Sequence, residues 1–230
     1  MCFSAEASFA ASGVLVPAGG FCLWSALRKQ PRYLPLAAIP LFFGVQQASE
    51  GVVWLALGKG DTELVRPAAL IFLFFAVAFW PMWIPLQAAV AEPIPWRRWL
   101  LAALAAVNTL WFWYLFWPLA VGPASLLQVE MVHHSISYQF SELNVYQYVP
   151  LIWLRLLYVL SVALPFVVAS RSLGLWPGIV IGASAVVAVV AFEYAFVSVW
   201  CFFAAILSVW ICTVFYSMPV SRLSLRERAF

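Results

Sequence analysis

Long apolar runs, interrupted by charged residues or by proline and glycine, make up most of this chain. A helix needs roughly 20 apolar residues to cross the hydrocarbon core of a bilayer, so each long run predicts a membrane span. Of the 230 residues, 66% are hydrophobic and only 9% are charged, whereas a soluble domain carries about 25% charged residues. A chain with so few charges cannot cover a water-facing surface. This excludes a cytosolic globular enzyme, a nucleic-acid-binding protein and a disordered tail.

Seven spans are predicted from these runs. Their approximate bounds are 5–27, 33–57, 65–90, 98–121 and 148–169, and two further spans share residues 173–218. This last run is too long for one span, and Glu193 near its middle is the charge that marks the turn. A β-barrel is excluded because barrel strands alternate between apolar and polar residues over about ten positions, whereas the run over 70–79 is apolar on every side.

The basic residues indicate how the bundle is oriented, because short cytoplasmic loops carry an excess of lysine and arginine. If the N-terminus lies outside, the outer side holds only Lys59, Arg66 and Arg155 of the 12 basic residues. The others fall in inner loops and in the C-terminal tail: Arg28, Lys29, Arg32, Arg97, Arg98, Arg171, Arg222, Arg226 and Arg228. The bias predicts an N-terminus outside and a C-terminus inside.

The predicted fold class is therefore an all-α integral membrane protein, built as a seven-transmembrane-helix bundle. Residues 1–230 form a single transmembrane domain. Within it we expect an outer lid loop over 122–147 and a basic cytoplasmic tail over 219–230, which would lie at the anionic inner leaflet.

Two charged residues are predicted to lie inside spans, where a charge is costly and marks a function or a partner. Glu50 lies seven residues before the end of the second span, and Arg155 lies seven residues after the start of the fifth. At a rise of 1.5 Å per residue, both are about 10 Å below the outer surface. The matched depth favours either an ion pair that fixes helix packing or a functional site.

Polar residues accompany Glu50 on its own helix. Gln46 and Gln47 precede it by four and three residues, and Trp54 follows it by four, so all can share one face. Such a stripe must face protein or a cavity. Together with Arg155 it predicts a polar pocket in the outer half of the bundle, suited to a small polar ligand, a cation or protons.

The longest outer loop carries both histidines of the chain, His133 and His134. Polar and apolar residues alternate over 128–132 and 135–140, which predicts a short hairpin or extended lid. Adjacent residues of a strand point to opposite sides, so the two rings cannot easily bind one metal together. One ring is a candidate to point towards Glu50, and a pH-responsive or simply solvated histidine is the alternative.

The cysteines extend the list of candidate site residues. Cys2 and Cys201 are both expected on the outer side, where they would form a disulfide if the ends of the first and seventh helices adjoin. Removal of Met1 would leave Cys2 as an N-terminal nucleophile or metal ligand, and a buried thiol is the alternative. A zinc site needs three or four ligands. The candidates are Glu50, His133, His134, Cys2 and Cys201.

Four segments carry a resemblance to a known family. They are Met1-Cys2-Phe3-Ser4-Ala5, the stripe Gln47-x-x-Glu50-Gly51-x-x-Trp54, Trp80-Pro81, and Ser198-Val199-Trp200-Cys201-Phe202-Phe203-Ala204. With them the chain resembles, over nearly its whole length, an uncharacterised bacterial family of multi-pass membrane proteins that begin Met-Cys-Phe-Ser-Ala. The resemblance implies the bacterial cytoplasmic membrane as the setting, and it implies no reaction.

Other seven-helix classes can be tested by the residues they require. The only lysines are Lys29 and Lys59, both in predicted loops, so no retinal is expected. An adjacent histidine pair in a loop is a poor fit to a haem. Any other cofactor stays open, as does the oligomeric state.

Three functions follow from these residues. The first is the binding of a small ligand or ion in the polar pocket, for sensing or transport, by a protein whose partner is the lipid bilayer. The second is a membrane-embedded enzyme, possibly metal-dependent, in which Glu50 acts with a loop histidine or Cys2. The third is a structural scaffold whose polar residues only fix packing.

Overall fold

Apolar helices form nearly all of the protein in a computed structural model that describes residues 4–140, 145, 148–170 and 176–218. The helices in chain order are α1 (Ala5–Lys29), α2 (Leu34–Ala37), α3 (Ile39–Lys59), α4 (Thr62–Leu73), α5 (Trp80–Ala91), α6 (Pro95–Val121), α7 (Leu151–Val168), α8 (Trp176–Ala191) and α9 (Phe196–Ser217). Two strands, β1 (Gln128–Val132) and β2 (Ser135–Gln139), lie between α6 and α7. The predicted tail over 219–230 and part of the predicted lid loop lie outside the described residues.

Six segments of the described chain are long and apolar enough to cross a membrane. They are Ala5–Lys29, Pro31–Lys59, Thr62–Ala91, Pro95–Val121, Leu151–Val168 and Phe196–Ser217. The remaining predicted span includes α8, of which 16 residues are described, and residues 171–175 directly before it lie outside the described residues. Large apolar side chains face outward, among them Leu110, which is 76% exposed. The protein is a multi-pass membrane protein.

The break between α8 and α9 falls at Glu193, as the sequence predicts. A single turn of 3-10 helix over Glu193–Ala195 separates the two helices. The C-terminal end of α8, the N-terminal end of α9 and the β1–β2 hairpin lie at the same end of the bundle, which we call the hairpin end.

The predicted hairpin is confirmed, but the two histidines lie in its turn and not on a strand. β1 and β2 pair antiparallel, with Val132 opposite Ser135, so His133 and His134 form a two-residue turn. Their φ angles are 45° and 58°, which is the left-handed backbone that such turns need. The expectation that the rings lie on opposite sides of a strand is therefore wrong, because the alternation of the strands stops at Val132.

Small residues bring α1 and α3 into close contact. A Cβ atom on Gly19 would lie 2.5 Å from the backbone nitrogen of Leu41, and one on Gly51 would lie 2.8 Å from the Cζ atom of Phe9. Membrane helices associate through such contacts because lipid gives them no hydrophobic driving force. This packing places the buried face of α3 against the interior of the bundle.

Prolines in the third span leave two carbonyl groups that other helices satisfy. Over Phe74–Phe79 the helix widens, and hydrogen bonds join residues five apart. In this pattern the carbonyl of Ala76 would accept from the N–H of residue 81. That residue is Pro81, which has no N–H. The hydroxyl of Tyr158 on α7 donates to the Ala76 carbonyl instead. The carbonyl of Pro81 would pair with Pro85, and the side-chain amide of Asn108 on α6 donates to it at 2.8 Å.

Contacts between α1 and α9 close the opposite end of the bundle. The ammonium group of Lys29 donates to the carbonyl of Phe215 at 2.8 Å, which satisfies the C-terminal end of α9. Further along the same two helices, the thiols of Cys22 and Cys212 are 3.1 Å apart. The first and last helices therefore pack side by side.

Glu92 joins the loop after α5 to the end of α7 at the opposite end. Its carboxylate accepts from the hydroxyl and the backbone N–H of Ser170, the latter at 2.7 Å, and from the backbone N–H of Ile94 at 2.9 Å. Burial alone would raise the pKa of Glu92, but the hydrogen bonds from Ser170 and Ile94 and the charge of Arg97 outweigh burial and lower this pKa.

Replacing Asn108 should leave the carbonyl of Pro81 in the third span without its hydrogen-bond donor. Asn108→Leu removes the donor to Pro81 and is expected to lower the free energy of unfolding by about 1 kcal/mol. Pro85→Ala restores the missing backbone N–H, so Asn108→Leu should cost less in that background. A double-mutant cycle of unfolding free energies measures the difference, with Thr109→Val, whose hydroxyl bonds within its own helix, as the control. Equal costs in both backgrounds would contradict this account.

The pH dependence of stability should reveal Glu92. Because its pKa is lowered on folding, ionised Glu92 stabilises the protein above the usual carboxyl pKa, and this stabilisation is lost as the pH falls through the lowered value. Glu92→Gln is expected to cost about 2 kcal/mol at neutral pH and progressively less in acid. Thermal unfolding of both proteins from neutral to acidic pH measures this. A constant difference would show that ionisation of Glu92 plays no part.

Candidate functional site

The predicted polar residues occupy two places near the hairpin end, on either side of α9. Glu50 contacts Ser198, whereas Arg155 contacts Phe196. Residues two apart on a helix point about 200° from each other. The two charges therefore face opposite sides of α9, which stands between them.

The first place is a buried polar cluster on α3, formed by Gln46, Gln47 and Glu50. All three residues have no exposed surface. The hydroxyl of Ser198 donates to Oε1 of Glu50 at 2.6 Å, and the indole N–H of Trp80 donates to Oε1 of Gln46 at 2.7 Å. These bonds attach α3 to α9 and to α5 in the interior of the bundle.

Several polar atoms in and around this cluster lack a hydrogen-bond partner among the described residues. They include both ends of the Gln47 amide, Nε2 of Gln46 and the indole nitrogen of Trp54. A buried amide without hydrogen bonds costs free energy. The stripe that the sequence singles out is thus buried as a group, and only part of its hydrogen-bonding capacity is used within the described chain.

The second place is built around Arg155 on α7. Its guanidinium lies 3.3 Å from Oε1 of Glu193 and 3.3 Å from the backbone carbonyl of the same residue. It also lies 4.9 Å from the centre of the Phe196 ring. The predicted pair between Glu50 and Arg155 is therefore wrong. Because α9 lies between the two residues, Arg155 pairs with Glu193 in the turn before α9.

A cavity with a volume of about 630 Å³ opens beside Arg155, beneath β2 and between α6, α7 and α9. We call it the hairpin-end cavity. Its aromatic lining is Phe112, Tyr138, Phe140, Tyr158, Phe196 and Trp200. Its polar lining is Ser137, Gln139, Arg155 and Glu193. A mostly apolar wall with a few polar groups is typical of small-molecule sites, and the volume lies in the range that such sites have.

Cys201 links the two places. It is 6% exposed, it lines the hairpin-end cavity, and it lies three residues after Ser198, on the face of α9 that meets Glu50. The cavity therefore approaches the buried polar cluster at this thiol. Cys2, its predicted disulfide partner, lies outside the described residues.

The histidines lie at the tip of the hairpin, where both are exposed, whereas Glu50 is completely buried. Within the described part of the chain, no three histidine, cysteine or acidic residues come together in a way that could hold a metal ion. Of the predicted candidates Glu50, His133, His134 and Cys201, Glu50 and Cys201 lie where α3 meets α9, and both histidines lie at the hairpin tip.

Sequence reasoning missed four residues of these two places: Ser198, Glu193, Tyr158 and Trp200. Ser198 and Cys201 are three apart on α9, a spacing that puts both on one face, and this face meets Glu50. The sequence identifies Glu193 only as the marker of the turn between α8 and α9. In the structure it lies in this turn, beside the N-terminal end of α9, and pairs with Arg155. Tyr158 carried no signal, because a single tyrosine in an apolar span resembles any other interior aromatic residue.

The comparisons with known proteins identify the family. The chain belongs to a family of unknown function, DUF6629, which matches residues 1–224. The resemblance noted from the sequence motifs is thereby confirmed as membership of an uncharacterised family. No curated protein and no solved structure matches the chain.

The link between Glu50 and α9 should be measurable as stability. Ser198→Ala removes the donor to Glu50 and is expected to lower the free energy of unfolding by about 1 to 2 kcal/mol. Ser208→Ala on the same helix is the matched control, because within the described chain the Ser208 hydroxyl donates to the carbonyl of Ala205 in its own helix. Equal effects of the two substitutions would show that the Glu50 contact does not fix α9.

Proposed function

We propose that this protein binds a small ligand in the hairpin-end cavity. The observation that carries the proposal is the position of Arg155, a cation on the wall of a large, mostly aromatic cavity within an apolar bundle. The side chain of Arg155 is only 14% exposed, and a charge that is largely buried in an apolar bundle marks a binding site by default. The ligand that suits this wall is largely apolar and carries one carboxylate or a similar acceptor.

The ion pair with Glu193 leaves Arg155 able to bind such a group. A guanidinium has five N–H donors, and the two hydrogen bonds to Glu193 occupy two of them. The side chain of Glu193 is 74% exposed, and pairs with such an exposed partner are weak. A ligand carboxylate can therefore take further donors of Arg155 or replace Glu193.

The buried cluster around Glu50 has a supporting role in this proposal. It fixes α3 against α9 through Ser198, directly behind the wall that Cys201 contributes to the cavity. Sensing and transport both begin with this binding step.

The proposed setting is the bacterial cytoplasmic membrane, with seven membrane spans, the N-terminus outside and the C-terminus inside. The hairpin end would then face outward. The basic residues support this orientation, since Arg28, Lys29, Arg32, Arg97 and Arg98 all lie at the opposite end, where cytoplasmic loops concentrate positive charge.

Binding of a short carboxylate to the protein in lipid nanodiscs tests the proposal. Hexanoate is expected to bind and hexylamine, of the same length and opposite charge, is not. Arg155→Gln should weaken hexanoate about tenfold or more, because it removes charge-assisted hydrogen bonds. Isothermal titration calorimetry supplies the affinities.

Glu193→Gln is the matched control, since it removes the competing carboxylate and leaves the cation in place. It should leave hexanoate binding unchanged or make it tighter. The proposal fails if the acid and the amine bind equally well and if Arg155→Gln has no effect on either.

A further inference from the structure

An unbroken series of aromatic rings lines the hairpin-end cavity. The ring of Tyr158 meets the rings of Phe112 and Trp200 edge to face, with centres 5.4 Å and 5.1 Å apart. The ring of Trp200 lies in turn 5.3 Å from the ring of Phe196. All four residues line the cavity, and we call them the aromatic wall. Helices α6, α7 and α9 thus present one aromatic surface to a guest.

The polar groups of this wall are already bound, except at the end where Arg155 lies. The hydroxyl of Tyr158 donates to the carbonyl of Ala76. The indole N–H of Trp200 donates to the hydroxyl of Ser184 on α8 at 3.1 Å. The guanidinium of Arg155 lies 4.9 Å from the centre of the Phe196 ring. The wall therefore offers a cation at one end and ring surfaces along the rest.

The hairpin adds a further ring above the cavity. Tyr138 on β2 lines the cavity, and its ring stacks on the ring of Phe72 from α4, with centres 4.9 Å apart. Phe72 is completely buried, so this stack holds the Tyr138 ring in place. A guest beneath β2 is therefore in contact with rings from the hairpin as well as from the helices.

A ligand has both room and access in this cavity. The volume of about 630 Å³ is that of a site for a drug-sized molecule. Exposed residues line its mouth: Gln139 on β2 and Leu151 at the start of α7, which is 43% exposed. The carboxylate of Glu193, beside Arg155, is exposed as well. A ligand that enters at the hairpin end meets Arg155 without having to cross the aromatic wall.

We propose that the ligand is an aromatic carboxylate with fused rings, whose carboxylate binds Arg155 and whose rings pack against the aromatic wall. This inference rests on the proposed function, because it identifies the chemical class of the ligand in that same site. Aromatic rings have a negative face and a positive edge, so an aromatic guest gains edge-to-face and offset contacts with the wall. A saturated guest with the same skeleton gains only burial. The wall therefore favours the aromatic guest.

Two acids that differ only in aromaticity test this preference. 2-Naphthoate and decahydro-2-naphthoate have the same carbon skeleton and the same charge at neutral pH. The saturated acid has more hydrogen atoms and a larger apolar surface, so burial alone would favour it. Both are titrated by calorimetry into the protein in lipid nanodiscs, with empty nanodiscs to subtract partition into lipid. 2-Naphthoate is expected to bind about fivefold tighter.

A matched pair of substitutions on α6 locates the source of the preference. Phe112→Leu keeps an apolar side chain in the cavity wall but removes its ring. Phe116 is one turn further on and similarly buried, and its ring contacts Phe74 and Trp113, so Phe116→Leu is the control. Phe112→Leu should lower the preference for 2-naphthoate at least about twofold. Phe116→Leu should leave the preference unchanged.

The outcomes distinguish this inference from the proposed function. If the saturated acid binds as tightly as 2-naphthoate or tighter, and Arg155→Gln weakens both, this inference alone is overturned. Equal loss of preference in Phe112→Leu and Phe116→Leu also overturns it, because the contacts would then not lie in the cavity. If neither acid depends on Arg155, both proposals fail. If Phe112→Leu does not yield folded protein, the two acids compared on the unchanged protein decide.

Discussion

The third membrane span depends on side chains from other helices to satisfy its backbone. Inside a bilayer a carbonyl cannot turn to water, so each carbonyl that a proline deprives of its donor needs another partner. Tyr158 supplies that partner for Ala76, and Asn108 supplies it for Pro81. These two hydrogen bonds fix α6 and α7 to the third span at one level of the bundle. The hairpin-end cavity lies at this level, with Ala76 and Tyr158 in its wall.

The need to pair polar groups inside the bilayer also explains where the charges lie. Glu50 is held inside the bundle, where α9 donates to it, and Arg155 lies on the far side of α9, where it reaches a carboxylate near the surface. A direct pair between them would have needed α9 to move aside. With α9 in place, the guanidinium remains at the cavity wall, and its partner is the more exposed of the two acidic residues.

Much of the fold can be read from the sequence, because lipid imposes length and polarity on each span. The apolar runs predict the long helices, Glu193 marks the last turn, and alternation marks the hairpin. Direction around a helix is harder to predict. The sequence predicts matched depths for Glu50 and Arg155, but depth does not say that Ser198 and Phe196 point to opposite sides of α9. The histidine turn was missed because its backbone angles are those that glycine and asparagine usually adopt. The partners of the prolines were missed because Asn108 and Tyr158 lie in spans remote along the chain.

The left-handed turn at the tip of the hairpin has a consequence for which residues can replace the histidines. Both His133 and His134 have positive φ angles, a conformation that glycine and asparagine adopt readily and that β-branched residues adopt only at a cost. An Asn-Gly pair at these two positions would therefore suit the same backbone turn and would remove both imidazole rings from the end of the bundle.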